Sequence, residues 1–158
     1  MRFFLALVLV ATVALLPACA KKSTSSGPVT ITEQNGVKQV TVQGSEGTTR
    51  IGEGVVDPNK LGLPVYPGAV PSKSGSFSSQ TKQGGAQVVT IETTDPFDKV
   101  YAFYKANMPA GSEKMKVSAG GQSMATFQVS SGKDSSRKGV SVVTTQGKTS
   151  ITLIVTGP

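Results

Sequence analysis

The chain has 158 residues, of which 37% are hydrophobic and 16% charged, and its 16 Lys and Arg residues outnumber the 9 Asp and Glu residues. This length accommodates one domain, or one domain with a small appendage, and excludes a second large domain. The sequence has no histidine and a single cysteine, which argues against imidazole-based catalytic triads, side-chain zinc sites and haem sites.

The N-terminus has the pattern of a bacterial lipoprotein signal peptide over residues 1–18. Arg2 precedes an apolar run over 3–16, which is shorter than the roughly 20 residues that a membrane-spanning helix needs. The following LPAC sequence resembles a lipobox, with a small residue before the cysteine. Cleavage is therefore predicted between Ala18 and Cys19, with lipid on Cys19.

Cys19 is the only cysteine, so it cannot form an intrachain disulfide. The alternative is an ordinary signal peptide cut elsewhere, which would leave a free thiol in the tail. We expect residues 19–28 to be a lipidated cysteine and a Ser/Thr-rich flexible tether. Ala20 is not the aspartate that retains enteric lipoproteins at the inner membrane. The predicted location is the cell envelope, facing the periplasm or exterior, with the outer membrane favoured if the cell has one.

Residues 29–57 predict a small β-meander of three short strands. Apolar and polar residues alternate along its strands, and Asn35-Gly36 is typical of a tight hairpin turn. A second turn is predicted at Glu46-Gly47. Residues 57–63 have no such alternation and are interpreted as a linker.

Residues 63–158 predict an α+β domain, in which an antiparallel sheet of about six strands packs against one helix over residues 95–108. Turns are expected at Gly84-Gly85 and Gln146-Gly147. The predicted strands cover 72–79, 86–93, 114–118, 123–130, 139–145 and 149–156.

The helix has a predicted cap and a predicted apolar face. We expect Asp95 to cap it, Pro96 to occupy its first position and Asp98 to add negative charge to its first turn. Core packing is favoured over a ligand platform for the residues that share its apolar face, since the core is thin. These residues are Phe97, Val100, Tyr101, Tyr104 and Met108, with Phe103 beside them.

Two segments resemble a group of small exported bacterial lipoproteins of uncharacterised function. Residues 64–69 have the form P-x-YPGA, and residues 95–105 have the form D-x-x-x-x-V-x-x-FYK. The resemblance covers about residues 63–110. It implies a turn that leads into a hairpin and then a helix, and it implies no reaction, ligand or cofactor.

Candidate catalytic motifs have simpler explanations. Ser-x-x-Lys occurs at residues 79–82, 130–133 and 135–138, but each falls in a predicted strand or loop, whereas penicillin-binding enzymes place this motif at a helix start. The sequence Gly147-Lys148-Thr149 joins two strands and lacks the first glycine of a phosphate loop. No cofactor or metal site is predicted.

Excess positive charge is the remaining functional signal. In an envelope protein this charge favours anionic lipid, polysaccharide or a protein partner over nucleic acid. The candidate contacts with an anionic surface are Lys114, Lys116, Lys133, Arg137 and Lys138. Lys114 and Lys116 are expected to point outward from one strand, and the other three to lie on a loop.

Three functional hypotheses follow. The favoured one is a non-catalytic binding or envelope-organising module held on a membrane by lipid. The alternatives are a serine/lysine-dependent hydrolase or transferase of the cell envelope, and an assembly subunit that pairs through an exposed strand edge.

Overall fold

In the computed structural model, the described residues are 27–34, 37–130 and 135–158. The predicted signal peptide, Cys19, the Asn35-Gly36 turn and Lys133 lie outside them. The described residues form nine strands and one α-helix, α1 (Phe97–Asn107). The strands are β1 (Val29–Gln34), β2 (Val37–Gly44), β3 (Gly47–Gly52), β4 (Val70–Thr81), β5 (Gly84–Thr93), β6 (Glu113–Ala119), β7 (Gln122–Ser130), β8 (Arg137–Thr145) and β9 (Lys148–Gly157).

All nine described strands belong to one antiparallel sheet, in the order β1-β2-β3-β4-β5-β9-β8-β7-β6. The α+β class is confirmed, because a single helix packs on this sheet. The sheet is larger than predicted, because the three strands of the meander join the six strands that follow them. The last strand of the meander, β3, pairs with β4 from Gly47 opposite Thr81 to Gly52 opposite Ser76.

A buried serine fastens the meander to the main body where the β4–β5 register shifts between Pro71 and Ser76. The Ser76 hydroxyl donates to the Gly52 carbonyl at 2.9 Å and accepts from the Val56 amide at 3.0 Å. Because Ser76 is only 5% exposed, these bonds satisfy polar groups that would be costly to bury alone.

The helix packs on one face of the sheet, as predicted, and its strand contacts are mainly with β8 and β7. Phe97, Val100 and Tyr104 are buried on α1, and Tyr104 packs on Phe127 of β7 with ring centroids 6.1 Å apart. The prediction that the apolar face of the helix packs in the core is therefore confirmed for these residues. The strand side of the core consists of Val89, Ile91, Ala125, Phe127, Val140, Val142, Ile151 and Leu153.

The predicted cap of this helix is wrong. Pro96 is the N-cap residue, with no capping side-chain hydrogen bond. The Asp95 carboxylate instead accepts a 2.7 Å hydrogen bond from the Tyr66 hydroxyl and pairs with Lys99 at 3.0 Å. These two partners lower the pKa of Asp95, while burial and the Asp95 carboxylate raise the pKa of Tyr66 to about 12. The Asp95 carboxylate was predicted from the local sequence to cap the helix, but it binds the hydroxyl of Tyr66, which is distant in sequence.

The predicted linker is part of the core. A short 3-10 helix forms at Pro58–Lys60, with its first turn capped by the Asp57 side chain. The apolar residues around it, Val56, Leu61 and Leu63, are each less than 10% exposed. Because they are spaced irregularly, they gave no helical or strand period, yet they close one end of the core.

Two turns differ from their predicted positions. Gly84 and Gly85 begin β5 instead of forming a turn, and the chain reverses at Lys82-Gln83. A side chain at Gly84 would lie 2.5 Å from the Gly157 carbonyl oxygen, so glycine permits the close approach of β5 and β9 here. The meander turn falls at Ser45-Glu46, one residue before its predicted place. The Gln146-Gly147 turn is confirmed, and both residues have positive φ.

Candidate functional site

The two faces of the sheet differ in how they are covered. One face, here called the helix face, contacts α1 and bears every buried hydrophobic strand residue described. Side chains alternate between faces along each strand, so the neighbours of these residues point to the opposite, open face. On β9, Leu153 is completely buried whereas the adjacent Ile154 is 37% exposed.

A row of apolar side chains crosses the open face. Each member lies directly opposite the next on the neighbouring strand, so the row runs without a break over six strands. We call this row the open-face stripe: Ile31, Val40, Ile51, Phe77, Val88 and Ile154. Ile31 is 70% exposed and Ile51 is 47% exposed. This stripe was not predicted from the sequence, although the alternation of apolar and polar residues within each strand was its signal.

The stripe ends in a hollow. Gly139 of β8 lies directly opposite Ile154 and has no side chain to fill its position in the row. A cavity of about 260 Å³ opens there, with Gln128, Ser141 and Ile154 among its lining residues. A second row runs beside the stripe on the side of Val29. Its side chains are uncharged except for Arg137 at the β8 end. It consists of Val29, Val42, Thr49, Ser79, Ala86 and Thr156.

The two edge strands of the described sheet also differ. The edge strand β6 carries two lysines and an irregularity in register between Glu113 and Met115, features that discourage pairing with another strand. The opposite edge, β1, contains no lysine, proline or shift in register. The Gln43 amide donates to the Pro28 carbonyl, so ladder alternation directs the backbone groups of Val29, Ile31 and Glu33 outward.

Lys114 and Lys116 lie at the β6 edge, beside a cleft of about 610 Å³. Both are exposed, and both amines also have contacts within the chain. The Lys114 amine donates to the Gly111 carbonyl at 2.9 Å. The Lys116 amine lies 3.9 Å from the centre of the Tyr101 ring on α1, a cation–π contact.

The same cleft contains an acidic group that lowers its positive potential. Glu113 forms an ion pair with Lys105 and accepts 3.1 Å hydrogen bonds from the Tyr101 hydroxyl. Lys105, and to a lesser extent Tyr101, lower the pKa of Glu113, and Glu113 raises the pKa of Lys105. The cleft lysines therefore already have partners within the chain.

Arg137 and Lys138 are the first two residues of β8, not of a loop as predicted. Lys138 extends across the helix face to the Gly62 carbonyl at 3.4 Å, whereas Arg137 lies on the open face. Lys116 lies in the same cross-strand row as Val142 of β8, through Ala125 of β7. Val142 is four residues from Lys138, so the rows of Lys116 and Lys138 are about 13 Å apart along the strand direction. The structure does not bring the described basic candidates together in one patch.

Hydroxyl and carboxylate groups are engaged in structural contacts. Ser79 of the first Ser-x-x-Lys motif lies on β4 and shares a 3.3 Å hydrogen bond with the Thr49 hydroxyl. Ser72 donates to Glu92 at 2.6 Å, and Lys148 also pairs with Glu92. Within the described ranges, no three His, Cys, Asp or Glu side chains are grouped to hold a metal ion.

The two segments that carry the sequence resemblance meet in space. Tyr66 joins Asp95 through its hydroxyl and packs edge-on against Phe103, with ring centroids 5.2 Å apart. Comparisons with protein-family models, with curated proteins and with solved structures found no match to this chain. Among the described residues, no helix has the length and hydropathy needed to cross a membrane.

Proposed function

We propose that this chain is an exported lipoprotein, lipidated on Cys19, whose folded domain is a non-catalytic binding module of the cell envelope. The observation that carries the binding role is the open-face stripe. Monomeric soluble domains rarely expose a contiguous apolar patch of more than a few hundred Å² unless it is functional. This stripe crosses six strands and includes residues that are 37% to 70% exposed.

The sequence before the domain supports the membrane attachment. The LPAC sequence ends at Cys19, and the first strand begins ten residues later at Val29. A flexible segment of that length has a root-mean-square span of about 15 to 20 Å. A lipid on Cys19 would therefore hold the domain close to the membrane surface, as in the lipoproteins that the YPGA and FYK motifs resemble.

The geometry favours a binding module over a serine/lysine enzyme. Such an enzyme needs a serine hydroxyl next to a lysine amine that can remove its proton. The Ser79 hydroxyl faces Thr49, and the Lys138 amine faces a backbone carbonyl. A second candidate, assembly through a strand edge, is favoured by one observation: β1 presents outward backbone groups without the lysines that protect β6.

Lipidation is tested by metabolic labelling with an alkyne-bearing fatty acid. We expect the full chain to incorporate the label and to sediment with membranes, and we expect Cys19→Ser to lose both properties. Label retained by Cys19→Ser would overturn the assignment of the anchor.

The binding role is tested by formaldehyde cross-linking in intact cells. Ile51→Glu places a charge in the stripe, and Gln43→Glu adds the same charge to an exposed position on the other face of the meander. We expect adducts of the wild type and of Gln43→Glu, and their loss in Ile51→Glu. Equal adducts in all three proteins would exclude the open face as the binding surface.

A further inference from the structure

We propose that the open-face stripe is the self-association surface of this protein, and that a second copy packs against it face to face. This inference rests on the proposed function and names the partner of the same surface. Sheets that pack face to face keep their strands within about 30° of each other and interdigitate their inner side chains. The stripe offers such an inner face without a covering layer in the described part of the chain.

The size of the surface suits a specific dimer. From β1 to β8 the row spans seven strands, or about 29 Å at strand spacing, and the stripe with one row on each side is about 20 Å wide. The projected area is therefore roughly 600 Å² per copy, near the 800 Å² per partner of a standard interface and above most crystal contacts. The corrugation of the side chains makes the accessible area larger than this projection.

The row is complementary to itself about Phe77. A two-fold axis along β4 at Phe77 reverses the strand order, so β1 of one copy lies over β8 of the other. The protruding Ile31, 70% exposed, then faces the hollow at Gly139. Phe77 faces its own counterpart, which is the self-matching that a two-fold interface requires.

The remaining positions of the row also pair apolar groups. Val40 faces Ile154 of the second copy, and Ile51 faces Val88. No charged side chain belongs to the stripe itself. The rows beside it contain the Glu33–Lys38 ion pair on one side and Arg137 on the other, so these charges border the apolar contact. Attachment of both copies to one membrane would raise their effective concentration and favour such a contact.

Single-cysteine cross-linking of the full lipoprotein in its membrane tests this arrangement. Phe77→Cys should give a dimer with a short bismaleimide, because the two copies of this residue meet at the axis. Ser78→Cys, the next residue on β4, points to the other face and should give at least tenfold less dimer. Copies with Val40→Cys mixed with copies with Ile154→Cys should also cross-link.

Three results would overturn the proposal. Phe77→Cys and Ser78→Cys could give equal dimer, Ile31→Cys could dimerise as well as Phe77→Cys, or Phe77→Cys could give only adducts of another mass. Strong dimerisation of Ile31→Cys would indicate one of two other arrangements. The two copies would either pair through their β1 edges or be related by a two-fold axis that runs across the strands, which would place Ile31 opposite its own counterpart. Thermal unfolding of each variant is followed by circular dichroism, and only variants with the melting temperature of the wild type are compared. The comparison is then between folded proteins.

The same experiment separates this proposal from the proposed function. The wild type has no thiol other than Cys19, so lipidated wild type should not react with the bismaleimide. A dimer of the wild type would show a free Cys19 thiol and would overturn the anchor, whatever happens at Phe77. Adducts of another mass through Phe77→Cys would keep the binding role and exclude the second copy.

Discussion

The helix-covered strands and the meander belong to one sheet but are stabilised in different ways. Strands β5, β9, β8 and β7 bury their helix-face side chains under α1 and the segment over residues 53–69. In β1–β3 no described residue is buried, and the strands depend on their ladder and on the contacts with β4. The comparison indicates that stability comes from the covered half, while the meander extends the open face and its apolar row.

Truncation of Tyr104, at the centre of the helix-covered half, should cause the largest loss of stability. Tyr104 is completely buried between Phe103 and Phe127, so Tyr104→Ala should lower the free energy of unfolding by about 3 to 5 kcal/mol. Its hydroxyl lies near the Tyr66 backbone without hydrogen-bond geometry. Tyr104→Phe should therefore be neutral or stabilising in urea unfolding. A large loss in Tyr104→Phe would reveal a hydroxyl partner.

Two isoleucines on one strand allow a matched test of the two faces. Ile151 is completely buried on the helix face, and Ile154 is 37% exposed on the open face. Ile151→Ala should cost about 2 to 5 kcal/mol, and Ile154→Ala about 0.5 kcal/mol in dilute monomer. Urea unfolding of both variants measures the difference. Equal losses would mean that the open face is a second core.

The acid dependence of stability should be smaller in Asp95→Asn. Because the folded pKa of Asp95 is lowered by Tyr66 and Lys99, its stabilising effect is complete above the unfolded value of about 3.9. This effect is lost as the pH falls through the folded value. We expect Asp95→Asn to be less stable at pH 7 and to lose less stability than the wild type between pH 7 and pH 3.

Asp98→Asn is the control for this pH prediction, because it removes the same charge from an exposed position in the first turn of α1. Thermal unfolding at each pH is the measurement. If Asp95→Asn and the wild type lose stability in parallel, the Tyr66–Asp95 contact does not contribute to acid sensitivity.

Local patterns predicted the parts of the fold that depend on local physics. The 3.6-residue period located α1, and alternation located the strands to within a few residues of the observed ends. The role of Asp95 was missed because its partner, Tyr66, is 29 residues away. Leu61 and Leu63 were assigned to a linker because two apolar residues without a period do not indicate burial.

The candidate site was less predictable than the fold, for a geometric reason. Val40 and Phe77 each follow the alternation of their own strand, but their membership of one row depends on register across two ladders. Register is set by turns and bulges, and a shift of one residue would move a strand's apolar side chains to the other face. The separation of Lys116 from Lys138 likewise depends on the order of the strands in the sheet. The positions of the charges along the sequence do not reveal that order.

Amide hydrogen exchange, read strand by strand, tests the central claim most directly. Protection follows the free energy of local opening, so we predict that it is highest in β5, β9, β8 and β7 and decreases through β3 and β2 to β1. Within β1, the Thr30 and Thr32 amides should exchange more slowly than those of Ile31 and Glu33, which point away from β2. Uniform protection across all nine strands, with Ile31 as slow as Ile151, would contradict the account.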